Sequence, residues 1–179
     1  MNEYRVRSTR TGTGSRLRRA ADIAVITAFS LLLVFLLFKF ILVPVRVSDG
    51  GVSELAEGDI VLVDRVSNFV SDYSTGDLVR ADLGGGYSIY RLAAKEGATY
   101  LVRNGRAYLN GAFIDESAYS AGWPQETELS VKVPADCVLL LPDNREGLSS
   151  AEGFIIPYNS IYGEVRFRVS PLKRLAIFR

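Results

Sequence analysis

The chain carries many serine hydroxyls but no histidine to activate one. Without histidine the Ser-His-Asp and Cys-His mechanisms are both excluded, and the commonest zinc ligand is missing. A serine nucleophile here would need another base, and lysine is the candidate. Two serines, Ser48 and Ser53, bracket the short run Asp49-Gly50-Gly51. Cys137 is the single cysteine, so no intramolecular disulfide can form and stability must come from burial. No residue pattern calls for a metal ion or an organic cofactor. The net charge of +1 gives no field that would attract nucleic acid.

Positive charge is concentrated at the start. Arg5, Arg7, Arg10, Arg16, Arg18 and Arg19 face only Glu3 ahead of Asp22, and Thr, Ser and Gly lie between them. Residues 1–22 are therefore expected to be a disordered basic tail. Ile23–Val43 follows as an apolar run close to the roughly 20 residues that cross a bilayer as a helix. Lys39 is its one charge, near enough to the outer end to snorkel to the headgroups. Pro44 is expected to end the helix. No small-x-small site follows the apolar run, so an uncleaved anchor is expected rather than a removed signal. The arginines before the span predict a cytoplasmic N-terminus in the cell membrane, with residues 44–179 outside.

Beyond Pro44 the pattern changes to short β-branched runs. Strands are expected at Val43–Val47, Asp59–Val66, Asp77–Ala81, Tyr87–Ala93, Thr99–Val102, Arg106–Leu109, Glu128–Val133, Cys137–Leu141 and Ile161–Val169. Turn residues separate most of them, and no segment keeps a helical period. The fold class is an all-β antiparallel barrel or sandwich behind one N-terminal transmembrane helix. Gly58-Asp59 and Gly76-Asp77 repeat one turn chemistry, and Asn104-Gly105 is the strongest hairpin signal. Asp115–Thr127 is expected to be a long surface loop carrying Tyr119 and Trp123.

Read in order, these segments resemble the type I signal peptidases, the Ser-Lys peptidase family. In that family an anchor leads through a strand into Ser-Met-x-Pro-Thr-Leu-x-x-Gly-Asp. Here VPVRV leads into SDGGVSELAEGD, with Leu55 and Gly58-Asp59 in place. Gly76-Asp77-Leu78-Val79 matches the family's next strand, and Ile89-Tyr90-Arg91-Leu92 matches its Lys-Arg strand, with Gly97 closing the turn. Tyr108-Leu109-Asn110-Gly111 fits the family hairpin, and Glu116 and Tyr119 continue it. Val133-Pro134 and Asp143-Asn144-Arg145 match the next block, although Pro142 replaces a Gly. Ile161-Tyr162-Gly163-Glu164-Val165 resembles the closing Ile-x-Gly strand.

The resemblance also locates what is missing. The family's nucleophilic Ser aligns with Gly50, its neighbouring Met with Gly51, and its basic Lys with Tyr90. Glycine has no side chain to attack with, and a phenol with an ordinary pKa of about 10 is a poor base at neutral pH. Arg91 stays protonated, and Lys95 lies in the following turn. The family Ser that orients the Lys is matched by Ser150, without its flanking Asp and Arg. The resemblance is thus to the family's catalytically inactive Gram-positive members. It implies a non-catalytic accessory or chaperone that binds exported surface proteins as extended peptide, with pilin-like clients in pilus assembly. The peptide-binding positions it implies are Ser48, Asp49, Gly50, Gly51, Tyr90, Arg91 and Ser150. The alternative is an active type I signal peptidase that uses Ser48 or Ser53 as a displaced nucleophile.

Overall fold

The computed structural model describes residues 13–48, 51–66 and 72–178. Helix α1 spans Thr13–Phe40. Residues 13–22, expected as part of a disordered tail, are therefore already helical. Leu17, the arginines and the alanines there are good helix formers, so propensity carries the helix back from the apolar run. Leu17–Phe40 contributes 24 residues long and apolar enough to cross a membrane. At 1.5 Å per residue this is about 36 Å, more than the roughly 30 Å hydrocarbon layer. Its large apolar side chains are exposed on every side, from Leu17 to Phe40. Lys39 sits over the Phe35 ring one turn back, 5.8 Å from its centre.

The helix stops at Phe40, before Pro44. Strand β1, Leu42–Arg46, begins two residues on and contains Pro44. Pro44 is tolerated because β1 is the edge of its sheet, where one row of amides needs no partner. At the other edge, β10 (Ile155–Pro157) holds Pro157 in the same way.

The remaining strands are β2 (Ile60–Asp64), β3 (Leu78–Asp82), β4 (Tyr87–Lys95), β5 (Thr99–Arg103), β6 (Arg106–Leu109), β7 (Ala112–Ile114), β8 (Leu129–Lys132), β9 (Cys137–Leu141), β11 (Ile161–Ser170) and β12 (Ala176–Ile177). All pair antiparallel. The large sheet runs β1-β2-β11-β3-β4-β9-β10, with β12 added to β11, and the small one runs β7-β6-β5-β8. The long strand β4 and the turn after it carry the chain from one sheet to the other.

Turn chemistry fixes the registers. Asn104 and Gly105 take φ of 50° and 71°, the left-handed pair that a two-residue hairpin needs between Arg103 and Arg106. Asp59 and Asp77 each accept a hydrogen bond from the amide three residues back, at 3.0 Å from Ala56 and 2.7 Å from Ser74. The repeated Gly-Asp pair is thus one local turn used twice.

Two apolar clusters lie on opposite faces of the large sheet around β4. Ile89 joins Val47, Val52, Leu55, Val61, Val63, Leu78 and Val165. Leu92 joins Tyr73, Val79, Ala81, Val138, Leu140, Ile156 and Ile161, with Tyr90 packed against them. A third cluster, centred on Tyr100, Val102, Trp123, Leu139 and Leu141, fills the space under the small sheet.

Candidate functional site

Alternation along β4 decides what the site residues can touch. Ile89 and Arg91 project from one face and Tyr90 and Leu92 from the other. Arg91 is buried, with its side chain 8% exposed. Its Nε donates to Asp143 Oδ1 at 2.8 Å and its Nη2 to Asp143 Oδ2 at 3.0 Å, a two-pronged pair. It also donates to Glu54 Oε2 at 2.6 Å and to the Gly76 carbonyl at 3.0 Å. The Tyr119 ring stacks 3.9 Å from the guanidinium. Burial alone would lower the affinity of Arg91 for its proton. The hydrogen bonds and charge of Asp143, then of Glu54, outweigh that and raise its pKa.

Asp143 ties this cation to the segment after Gly50. It accepts from the Ser53 amide at 2.8 Å and from Ser53 Oγ at 3.1 Å, and its own amide donates to the Gly51 carbonyl at 2.8 Å. Gly51, Ser53, Glu54, Arg91 and Asp143 therefore form one fixture. Of the peptide-binding positions named above, Gly51 and Arg91 come together here. Asp49 and Gly50 lie outside the described residues, and Ser48 is exposed.

Tyr90 faces the other way and is half-buried. Its ring meets Phe154 edge to face, with centres 6.5 Å apart. Phe154 ends a one-turn 3-10 helix, Glu152–Phe154. Ser150 Oγ accepts from the Glu152 amide at 3.2 Å at the start of that turn. Ser150 and Tyr90 are thus related through the turn and Phe154, with the Ser150 hydroxyl making a local side-chain to backbone turn. Lys95 is the last residue of β4 rather than part of the turn. Its Nζ donates to Asp72 and to the Tyr73 carbonyl, at 3.0 and 2.8 Å.

Asp115–Thr127 does more in the fold than its sequence pattern shows. It is not merely a surface loop, because Glu116, Ser120 and Trp123 are buried. Glu116 pairs with the buried guanidinium of Arg145, with Arg145 Nη2 donating to Oε1 at 2.8 Å. Tyr100 Oη donates to Glu116 and accepts from Arg145 Nη1 and Trp123 Nε1, at 3.0 and 3.1 Å. Ser120 Oγ donates to the Asp143 carbonyl at 2.8 Å. Tyr119 donates to Glu116 at 3.3 Å, and burial followed by the nearby Glu116 charge pushes its phenol up to about 12. The segment is strapped onto the Asp143–Arg145 turn, and Tyr119 bridges the two arginine–carboxylate pairs. The signal was present in the sequence as Glu116 and two aromatics, Tyr119 and Trp123, spaced along a loop. Pairing them with Arg145, distant in sequence, required the fold.

A cleft of about 330 Å³ opens beside this fixture, lined by Glu54, Gly76, Leu78, Arg91, Glu164 and Phe178 among others. A second of about 460 Å³ lies at Asp72, Lys95, Cys137 and Tyr158, away from every predicted site residue. Among the described residues no cluster of His, Cys, Asp and Glu could hold a metal ion.

The family model described as signal peptidase, peptidase S26, matches residues 20–170. A signal peptidase I from Bacillus amyloliquefaciens is 27% identical over 162 residues, covering 83% of this chain and 83% of that protein. A solved structure of a signal peptidase I from Enterococcus faecalis aligns with a TM-score of 0.43 at 21% identity, covering 52% of this chain and 97% of that one.

Proposed function

The chain belongs to the signal peptidase family, peptidase S26, and from that premise we propose that it binds exported polypeptides in an extended form without cutting them. The observation that carries this reading is the contrast along β4. The scaffold around Arg91 is fully built, with Asp143 and Glu54 fixing the segment that follows Gly50. The neighbouring position, where the family has its Lys, is Tyr90, packed against Phe154. Position 50 has no side chain at all. A groove can survive the loss of its chemistry, because extended peptides are recognised by main-chain pairing and by pockets for alternate side chains. The clients are surface proteins leaving the cell, pilin-like subunits among them.

The rival reading is an active peptidase with a displaced nucleophile. Ser53 is poorly placed for it, since its hydroxyl already donates to a carboxylate that Arg91 occupies. Ser48, two residues before position 50, would stand roughly 6–7 Å away along an extended chain, where a productive attack tolerates about 1 Å.

The test is cleavage of a preprotein with a small-x-small site by the purified full chain in detergent, beside a Gly50→Ser/Tyr90→Lys double variant. The native chain should release no mature product and should still retain the preprotein on a column. Cleavage by the native chain would overturn the proposal and turn attention to Ser48→Ala and Ser53→Ala. Product from the double variant alone would strengthen it, because only the missing pair was supplied.

A further inference from the structure

β2, β11, β3 and β4 are successive neighbours in the large sheet. At one end they carry a ladder of alternating cations and rings. Arg65, just past β2, lies 4.7 Å from the centre of the Tyr162 ring on β11. Arg80 on β3 lies 4.7 Å from the same ring and 4.4 Å from the Tyr87 ring on β4. The two rings meet edge to face at 5.4 Å. Arg65 is exposed and Tyr87 is 49% exposed.

The two guanidinium groups of this ladder make no ion pair among the described residues. Arg91, Arg145, Arg166, Arg168 and Arg174 each have a carboxylate partner. The acidic groups Asp82, Asp64 and Glu164 on the same strands bond elsewhere. Asp82 accepts the Gly84 and Gly86 amides, Asp64 accepts the Val66 amide, and Glu164 pairs with Arg166.

The strand registers place the ladder where the chain leaves the helix. The Arg65 amide donates to the Ile41 carbonyl at 3.0 Å, and Ile41 directly follows the last helical residue, Phe40. Leu42 faces Asp64, Asp64 faces Glu164, Ile161 faces Ala81 and Asp82 faces Tyr87. All four ladder residues thus lie at the sheet end that begins one residue beyond the span.

We propose that the Arg65–Tyr162–Arg80–Tyr87 ladder docks onto the phosphate headgroups of anionic lipids in the bilayer that α1 spans. A guanidinium grips phosphate oxygens in pairs, and tyrosine suits the boundary between acyl chains and water. Stacking fixes the guanidinium planes in advance, so little side-chain freedom is lost on docking. The span tethers the β domain to the bilayer and so presents headgroups at high effective concentration, which a soluble partner or a second copy lacks. Each arginine near an anionic surface strengthens docking about fivefold.

The test follows hydrogen exchange of the full chain in nanodiscs of phosphatidylcholine alone and with added phosphatidylglycerol. The 82–88 turn should exchange at least about threefold more slowly in the anionic discs, as docking closes it from solvent. Arg65→Gln/Arg80→Gln should abolish the difference and Arg65→Lys/Arg80→Lys should keep part of it, with exchange in 137–141 as the check on folding. If the glutamine variant fails that check, the native protein's comparison between discs decides alone. Equal exchange in both discs, or slowing that survives in a folded glutamine variant, overturns the proposal. So does slowing produced by inorganic phosphate in detergent but by neither disc.

Discussion

Asp143 and Glu54 both hold Arg91, yet their surroundings give them different weights. The Asp143 side chain is 2% exposed and that of Glu54 is 41%. Removing one partner of a buried pair leaves the other charge stranded, at a cost of about 3–5 kcal/mol. An exposed pair contributes about 0–1 kcal/mol, because water replaces it. Asp143→Ala should therefore lower the denaturation free energy by about 3–5 kcal/mol, while Glu54→Gln should lower it by under about 1 kcal/mol. Equal losses in urea titrations would show that the fixture does not divide in this way. The sequence reading had Asp143 and Arg91 only as matched motif letters. Nothing in residue type showed that each was the other's counter-ion, since they stand 52 residues apart and strand pairing closes the gap.

Among the elements, β11 is the most constrained. It pairs with β2 on one side and with β3 and then β12 on the other, and shifts register near Gly163. A Cβ on Gly163 would press into the Asp64 carbonyl oxygen and stand 2.8 Å from Val63 Cγ1. The first of these is backbone and cannot swing aside. Gly163→Ala should cost at least about 1–3 kcal/mol, the range for overpacking a well-filled site. Gly153→Ala, with nothing within 4 Å, provides the comparison. Similar melting temperatures for the two variants would contradict the close approach. The nine longer strands were legible because β-branched runs and turn residues bracket them, and the Asn104-Gly105 hairpin was legible for the same reason. β7, β10 and β12 were not, with 3, 3 and 2 residues, too few for a period-2 pattern to appear. The helix end was misplaced because Pro44 reads as a breaker. Its tolerance on an edge strand depends on which strands lie beside it, and that is a property of the whole sheet.

For the whole molecule the decisive question is which side of the membrane holds residues 44–179. The six arginines before the span and the lack of such a cluster just after it favour an N-terminus inside and the β domain outside. An exposed basic stretch resists translocation against the membrane potential, so the bias acts during insertion and persists because the span cannot flip. Cys137 supplies the probe, being the only cysteine in the chain and partly exposed beside the cleft at Asp72 and Lys95. A membrane-impermeant maleimide added to intact protoplasts should label the native chain and leave Cys137→Ser unlabelled. The yield should match that obtained after detergent opens the cells. Labelling only after detergent would place the domain inside, where it could not meet clients that have crossed the membrane. The peptide-binding proposal would then fail together with the orientation, whatever the groove around Arg91 could hold.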